Sequence, residues 1–324
     1  MLVIGATGQI GSELTQALRE RYGHSHVVAG WHIKPLSPDV QGSGPGAFVD
    51  CCRMKTLEQT VRKYRIKTIY HLAAVLSAKG ETNPLQAWEN NMKGLINVLE
   101  MARQHGCSVF FPSSIGTFGP STPLINTPQD TIQRPGTIYG ISKVAGELFC
   151  DYYHKKYGVD ARGLRYPGII SNVTLPGGGT TDYAVEIFYR AIRSGKYTCY
   201  LKAGTYLDMM YMPDAISAAV SLMEADGNRL KHRNAYNVSA MSFDPEALAE
   251  EIRKHIPNFV MSYKIDPVRQ AIADSWPEKM NDSAARKEWG WSARYNIKTM
   301  TRDMIRILSA RLAPKLCGEL LQIR

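Results

Sequence analysis

The chain has 324 residues, 44% hydrophobic and 21% charged, with a formal net charge of +10. This is the composition of an ordinary soluble globular protein, and the length predicts about two domains with ample core. No apolar run approaches the roughly 18 residues that a membrane helix requires, so no membrane role is expected.

The first elements read as strand, tight turn and helix: Leu2-Val3-Ile4, then Gly5-Ala6-Thr7-Gly8-Gln9-Ile10-Gly11, then a helix through Leu14, Leu18 and Tyr22. Gly5 permits the turn, Gly8 lets a pyrophosphate approach the backbone, Gly11 lets helix pack on strand, and the free amides at Gln9 and Ile10 face phosphate oxygens. The strand begins at Leu2 with almost nothing before it, an abrupt start that points to a missing N-terminal segment, any transit sequence included. His26–Gly30 reads as the second strand, whose end commonly carries an acid for the adenosine ribose of a dinucleotide. Here it runs Gly30-Trp31-His32-Ile33-Lys34, which leaves NAD and NADP both open, with Lys34 or His32 available to a phosphate and Trp31 as adenine cover or packing. Residues 35–46 read as a loop and 47–50 as a third strand, whose Asp50 is placed to accept from the adenine amine or to cap the next helix.

Lys55–Tyr64 follows as a helix, with the densest basic cluster, Arg62, Lys63, Arg65 and Lys67, at its end. Cations there complement the helix dipole, and with no basic helix or aromatic-basic platform elsewhere no nucleic acid is expected. Thr68–Leu72 is the fourth strand, leading into Ala73-Ala74, small residues where a nucleotide crosses the strand ends. A loop over 75–84 contains Ser77, and 85–105 is a long amphipathic helix carrying Asn91.

The fifth strand, Ser108–Phe111, runs into Pro112-Ser113-Ser114, and Tyr139-Gly140-Ile141-Ser142-Lys143 opens the next helix. Residues four apart on a helix share a face, so Tyr139 and Lys143 should meet, the ammonium favouring the phenolate, with Ser114 holding a reacting oxygen. Such a trio suits proton transfer to or from an alcohol while something else moves the hydride. With 17 tyrosines in the chain, about one Tyr-x-x-x-Lys match is expected by chance, and Tyr152 to Lys156 is a second one. It lies at the far end of the same helix with no strand-end serine before it, and reads as a solvated face.

Ala161–Tyr166 makes a sixth strand, completing the alternation of a doubly wound parallel α/β sheet of Rossmann type over residues 1–170. Beyond it come a loop at 175–182, a helix over Tyr183–Ser194, strands at 198–202 and 207–212, a helix from Asp214, a strand near 235–238, and helices near 244–255 and 296–312. Residues 171–324 are expected to form mainly a smaller C-terminal substrate-binding domain, with some segments returning to the first. Six cysteines without a Cys-x-x-Cys pair read as reduced thiols, and eight histidines without a His-x-x-x-His or His/Cys cluster predict no metal site.

Taken together, the glycines at 5, 8 and 11, Asp50, Leu72-Ala73-Ala74, Asn91, Ser113-Ser114 and Tyr139-x-x-x-Lys143 resemble the extended short-chain dehydrogenase/reductase superfamily in order and spacing. Tyr166-Pro167-Gly168-Ile169-Ile170-Ser171, the stretch from Leu175 to Tyr183, Tyr211-Met-Pro-Asp214 and Asp274-Ser-Trp276-Pro277 look like the L-threonine 3-dehydrogenases within it, as does Ser114 to Pro120. The resemblance implies NAD as cofactor, held by Gly5, Gly8, Gln9, Ile10, Gly11, His32, Asp50, Cys51, Leu72, Ala73, Ala74, Asn91, Tyr166 and Ile169. It implies oxidation of the L-threonine hydroxyl to 2-amino-3-oxobutanoate, with Tyr139 as general base, Lys143 orienting the nicotinamide ribose and lowering the tyrosine pKa, and Ser114 positioning the hydroxyl.

Ser77, Thr180 and Thr181 are candidate partners for the ammonium and carboxylate, with Trp276 as a wall. The same resemblance implies a homodimer through helices 85–105 and 138–157, a partner lyase that uses coenzyme A, and a mitochondrial matrix location in a eukaryote or a cytoplasmic one in a bacterium. A sugar-nucleotide epimerase or reductase and a non-catalytic NAD-binding regulator are the alternatives. The short Gly177–Gly179 loop with Trp276 disfavours the first, and retention of serine, tyrosine and lysine disfavours the second.

Overall fold

Seven parallel strands pair in the spatial order Tyr236–Asn237, Ala161–Tyr166, Ser108–Ser114, Thr68–His71, Leu2–Ile4, Val28–Trp31 and Gly46–Phe48. The order reverses at Leu2–Ile4, which pairs with Val28–Trp31 on one side and Thr68–His71 on the other, and so opens the crevice of a Rossmann-type doubly wound sheet. The computed structural model describes residues 1–175 and 177–321, with side chains described to residue 312, so Pro176 of the Leu175–Tyr183 motif and the Cys317 thiol lie outside the described residues.

Side chains alternate across each strand, so the sheet feeds two separate cores. Val3, Ala29 and Phe110 pack with the helices Gln9–Tyr22, Met212–Glu224 and Ser283–Trp289. Leu2, Ile4, Val109 and Phe111 pack on the other face with Met54–Lys63, Pro84–His105 and Ile138–Tyr157. A third core joins Ile115 and Phe118 to the helices Tyr183–Ser194, Pro245–Arg253 and Ile297–Leu321. Beside it lies a small sheet of Met241–Phe243, Leu207–Tyr211 and Gly168–Ile170.

The two long helices have explicit ends. Asn83 accepts from the Gln86 amide at 3.3 Å, Pro84 occupies the first turn, and Gly106 closes the helix in the left-handed region. Thr137 accepts from the Gly140 amide at 3.1 Å and thereby fixes where the Ile138–Tyr157 helix begins, one residue before Tyr139.

Three local expectations are corrected. The loop at 35–46 contains a short helix, Pro38–Gly42, started by Ser37 and Pro38, and the loop at 75–84 contains Ser77–Gly80. The fifth strand runs on to Ser114. Its pairing with Thr68–His71 stops at Phe110 while its pairing with Ala161–Tyr166 continues to Ser114, so Pro112 lacks a donor only where one flank is already open. The strand Ile125–Thr127 was not visible in the sequence, because three residues carry no period; it exists through pairing with the distant Lys279–Met280.

Candidate active site

A cleft of about 300 Å³ runs along the carboxyl ends of the strands, from the glycine turn at one end to Trp276 at the other. Gly5 adopts φ +88°, and a Cβ there would lie 2.9 Å from the Ala73 nitrogen, so only glycine lets the turn sit against the fourth strand. The helix after it begins at Gln9 with no side-chain cap and no acid in its first turn, which leaves amides free for an anion. Gln9 also lines the cleft, and its Nε2 is buried without a partner. An unpaired buried donor is costly unless a ligand satisfies it, so free amides, a glycine cradle and an orphan donor together fit a dinucleotide. Gly8, Ile10, Gly11, Leu72, Ala74 and Ile169 share the cleft wall, while Ala73 packs behind it against Gly5. Tyr166 lines the cleft, while its buried ring packs near Phe110 and its hydroxyl donates to the Ala215 carbonyl oxygen at 2.6 Å.

Four expected cofactor residues, Asn91, Cys51, His32 and Asp50, are not on the cleft wall. Asn91 accepts from the Val75 amide at 2.8 Å and donates to the Val75 carbonyl at 3.1 Å and to Ser142 Oγ at 3.2 Å. Its amide is thus committed to fixing the loop after the fourth strand and is not on the cleft wall. The Cys51 thiol faces Gly94 on the Pro84–His105 helix, 2.9 Å from where a Cβ would stand. His32 is exposed, with Nε2 3.8 Å from Asp50, whose Oδ1 accepts from the Cys52 amide at 3.0 Å.

At the other end of the cleft, Ser114, Tyr139 and Lys143 come together. Ser114 Oγ accepts from the Gly116 amide at 3.0 Å, and a Cβ on Gly116 would lie 3.3 Å from Tyr139 Cε1, 3.4 Å from Ser114 Oγ and 3.4 Å from Trp276 Cζ2. Gly116 therefore sits where serine, tyrosine and tryptophan converge. The Lys143 ammonium donates to the Pro112 carbonyl at 2.6 Å and lies 4.5 Å from the Phe111 ring centroid and 5.6 Å from that of Tyr139.

The electrostatic expectation is reversed here. Burial pushes the Tyr139 phenol above its ordinary value, and the neighbouring Ser114 hydroxyl only partly offsets this. Burial also pulls Lys143 down to about 8, against the opposing pull of Cys150 and Glu147. Sharing a helix face is not enough, because both groups have lost their water and the ammonium is bonded to a carbonyl oxygen rather than to the phenol. Tyr152, the chance match, is exposed and packs against Tyr153 and Tyr157 outside the cleft.

Ser77, Thr180, Thr181 and Trp276 all line the cleft. Thr180 is 1% exposed and its Oγ1 has no partner, the second orphan polar group on the wall. Asp182, missed in the sequence because a Thr-Thr-Asp run before a helix reads as a cap, accepts from the amides of Gly178 and Gly179 at 2.9 and 2.7 Å, and burial pushes its carboxyl up. Thr7, Leu76, Gly116 and Leu175 were not singled out as site residues, although Thr7 lies in the glycine turn and Gly116 and Leu175 lie in the Ser114 to Pro120 and Leu175 to Tyr183 stretches. Among the described residues no group of three or more His, Cys, Asp or Glu is arranged to hold a metal, and no helix is long and apolar enough to cross a membrane.

Behind the serine, Arg165 and Glu147 form a buried pair at 2.8 Å, and Glu147 also accepts from Ser113 Oγ and from Gln133 Nε2.

Comparison with known proteins agrees with this geometry. A model of the NAD dependent epimerase/dehydratase family matches residues 1–239. An uncharacterized epimerase/dehydratase of Staphylococcus haemolyticus is 50% identical over 311 residues, covering 96% of this chain and 98% of that protein. The X-ray structure of L-threonine dehydrogenase from Clostridium difficile superposes with a TM-score of 0.93 at 52% identity, covering 96% of this chain and 97% of that one. The holo form of a GalE-like L-threonine dehydrogenase from Cupriavidus necator gives 0.92 at 49% identity, covering 95% and 99%.

Proposed function

The chain belongs to the NAD dependent epimerase/dehydratase family of extended short-chain dehydrogenases/reductases, and on that premise we propose that it oxidises L-threonine at its side-chain hydroxyl. The observation that carries the reading is the convergence of Ser114, Tyr139 and Trp276 on Gly116, with the unpaired Thr180 hydroxyl on the same wall. The wall offers one candidate base and several hydroxyls, the buried Thr180 hydroxyl unpaired among them, which suits a short amino-alcohol.

NAD is the cofactor of the family, and the glycine turn, the Gln9 and Ile10 amides and the Tyr166 and Ile169 wall would hold it. When bound, its nicotinamide accepts the hydride from the alcohol carbon. The chain's own residues manage the proton. Ser114 Oγ holds the substrate oxygen, and Tyr139, which must first lose the proton that burial favours, takes the hydroxyl proton as a phenolate while the carbon–oxygen bond becomes a carbonyl, giving 2-amino-3-oxobutanoate. Lys143, anchored on Pro112, presents its charge beneath the tyrosine ring, while Trp276 walls off the methyl side and Thr180, Thr181 and Ser77 meet the ammonium and carboxylate. Such a product suits a partner lyase that uses coenzyme A.

The exposed apolar residues Leu85, Trp88, Ile141, Leu148, Phe149 and Tyr152 lie on the two long helices, and support a homodimer through that face. Its test is the molar mass in solution of the wild type and of Leu148→Glu, which should be monomeric.

Nicotinamide reduction offered with L-threonine, allo-threonine, L-serine, simple secondary alcohols and a UDP-sugar tests the function. Turnover confined to L-threonine is expected. Inertness towards it, with turnover of the UDP-sugar, would move the chain to the epimerase or reductase reading.

A further inference from the structure

The far end of the nucleotide cleft carries an unusual set of charges. Ile4 pairs with Gly30 and Trp31 with Phe48, and the amides of Gly5 and Ala6 both donate to the Gly30 carbonyl at 3.1 Å. The residues that follow Gly30 therefore start beside the turn that receives the pyrophosphate. A site that selects a free adenosine ribose places a carboxylate there to accept from the 2′-hydroxyl, and that carboxylate also repels a 2′-phosphate. This chain has none from Trp31 to Lys34.

Trp31 occupies the strand end, its indole set edge-on to Phe48 with centroids 5.3 Å apart at 83°. His32 stands over the same phenylalanine at 5.3 Å and 74°, and Lys34 lines the cleft that holds the glycine turn. The one carboxylate at the end of the third strand, Asp50, is largely buried and engaged by the Cys52 amide at 3.0 Å and by Arg53 Nε at 3.2 Å. What remains on the cleft wall is cationic: the Lys34 ammonium, with the exposed Arg53 guanidinium turned to Asp50 and the His32 imidazole between the two strand ends.

We propose that this subsite admits a 2′-phosphate, so that the chain binds NADP as well as NAD, with Lys34 as the counter-ion of the phosphate. A dianion beside an ammonium is stabilised where a carboxylate would exclude it. Because Lys34 is solvent-accessible, the effect is screened over about 10 Å at 0.1 M salt and is strongest at low ionic strength.

The proposal rests on the dinucleotide cleft and not on the threonine reading, so its test omits substrate and turnover. Calorimetric titration with 5′-ADP and with 2′,5′-ADP at low salt compares a free ribose with a phosphorylated one on the same half-molecule. The wild type is expected to bind 2′,5′-ADP no more than about tenfold more weakly than 5′-ADP, and Lys34→Ala to shift that ratio by at least about tenfold against 2′,5′-ADP. The 5′-ADP titration reports whether the variant is folded. Should Lys34→Ala fail to bind 5′-ADP, Trp31→Asp, which restores a carboxylate at the strand end, carries the test by the same ratio. A wild-type preference for 5′-ADP above about tenfold, or a smaller shift of the ratio in the variant, overturns the proposal.

Discussion

The Lys143 ammonium donates a 2.6 Å hydrogen bond to the carbonyl oxygen of Pro112, which ties the helix that carries Tyr139 to the strand that carries Ser114. The contact sets the spacing of the reacting groups from two sides, because Thr137 fixes the start of the helix and Lys143 fixes its approach to the strand. It also explains why the lysine is held by protein before any ligand arrives.

Tyr139 and Tyr152 occupy one helix with the same four-residue spacing to a lysine, but only Tyr139 lines the cleft. Tyr139→Phe is expected to lower kcat by about 10²- to 10⁴-fold, the usual worth of a positioned base, while cofactor affinity stays within a few fold. Tyr152→Phe should leave kcat and KM near wild type. Steady-state nicotinamide reduction and a cofactor titration of each variant make the check.

Burial takes Lys143 from 10.5 to about 8 in the folded chain, whereas the unfolded chain keeps the ordinary value. Between those two pH values the unfolded state binds more protons, so the contribution of Lys143 to stability rises with pH across the window; below pH 8 both states hold the proton and the burial cost is felt in full. Lys143→Met removes this dependence. The stability of wild type relative to the variant should therefore rise by on the order of 3 kcal/mol between pH 8 and 10.5, measured by urea unfolding of the cofactor-free proteins. A difference that is flat or falls over that range would contradict the burial argument.

Gly116 is where a methyl group would meet Tyr139, Ser114 and Trp276 at 3.3 to 3.4 Å. Gly116→Ala should press on Tyr139, Ser114 and Trp276 and lower kcat/KM by at least about tenfold, the cost of a small misplacement at a reacting centre. Most of the proposed contacts of the dinucleotide lie at the glycine turn, away from Gly116, so its dissociation constant should move far less than kcat/KM.

Thr180 buries a hydroxyl that has no protein partner. Removing an unsatisfied buried hydroxyl costs the fold little, so Thr180→Val is expected to match or slightly exceed wild type in thermal unfolding without ligand. If the hydroxyl serves the substrate, KM for L-threonine rises by about tenfold, equivalent to roughly 1.4 kcal/mol of lost hydrogen bonding. An unchanged KM would remove Thr180 from the substrate site.

The Arg165–Glu147 pair has side chains only 8% and 5% exposed. Glu147→Gln leaves a buried guanidinium without its counter-charge and should cost about 3 kcal/mol or more in unfolding free energy. A loss below about 1 kcal/mol, in the range of a surface pair, would mean that water reaches the site.

Much of this was legible locally. The strand, glycine turn and helix at residues 2–22, the spacing of Tyr139 and Lys143, and the helix at Tyr183–Ser194 each depend on neighbours within a few turns of chain, and the sequence alone determined them. Strand and helix periods depend on which face must be dry, and that is written in the order of apolar residues.

Tertiary structure decided the rest. Whether Asn91 meets a ligand or the Val75 backbone, whether Thr180 keeps a free hydroxyl, and that Gly116 lies between Tyr139 and Trp276 all depend on segments far apart in sequence. The direction of the Tyr139 pKa belongs here too. An adjacent lysine argues for a lowered value, but the depth of burial, which no four-residue spacing encodes, removes water from both groups and raises it.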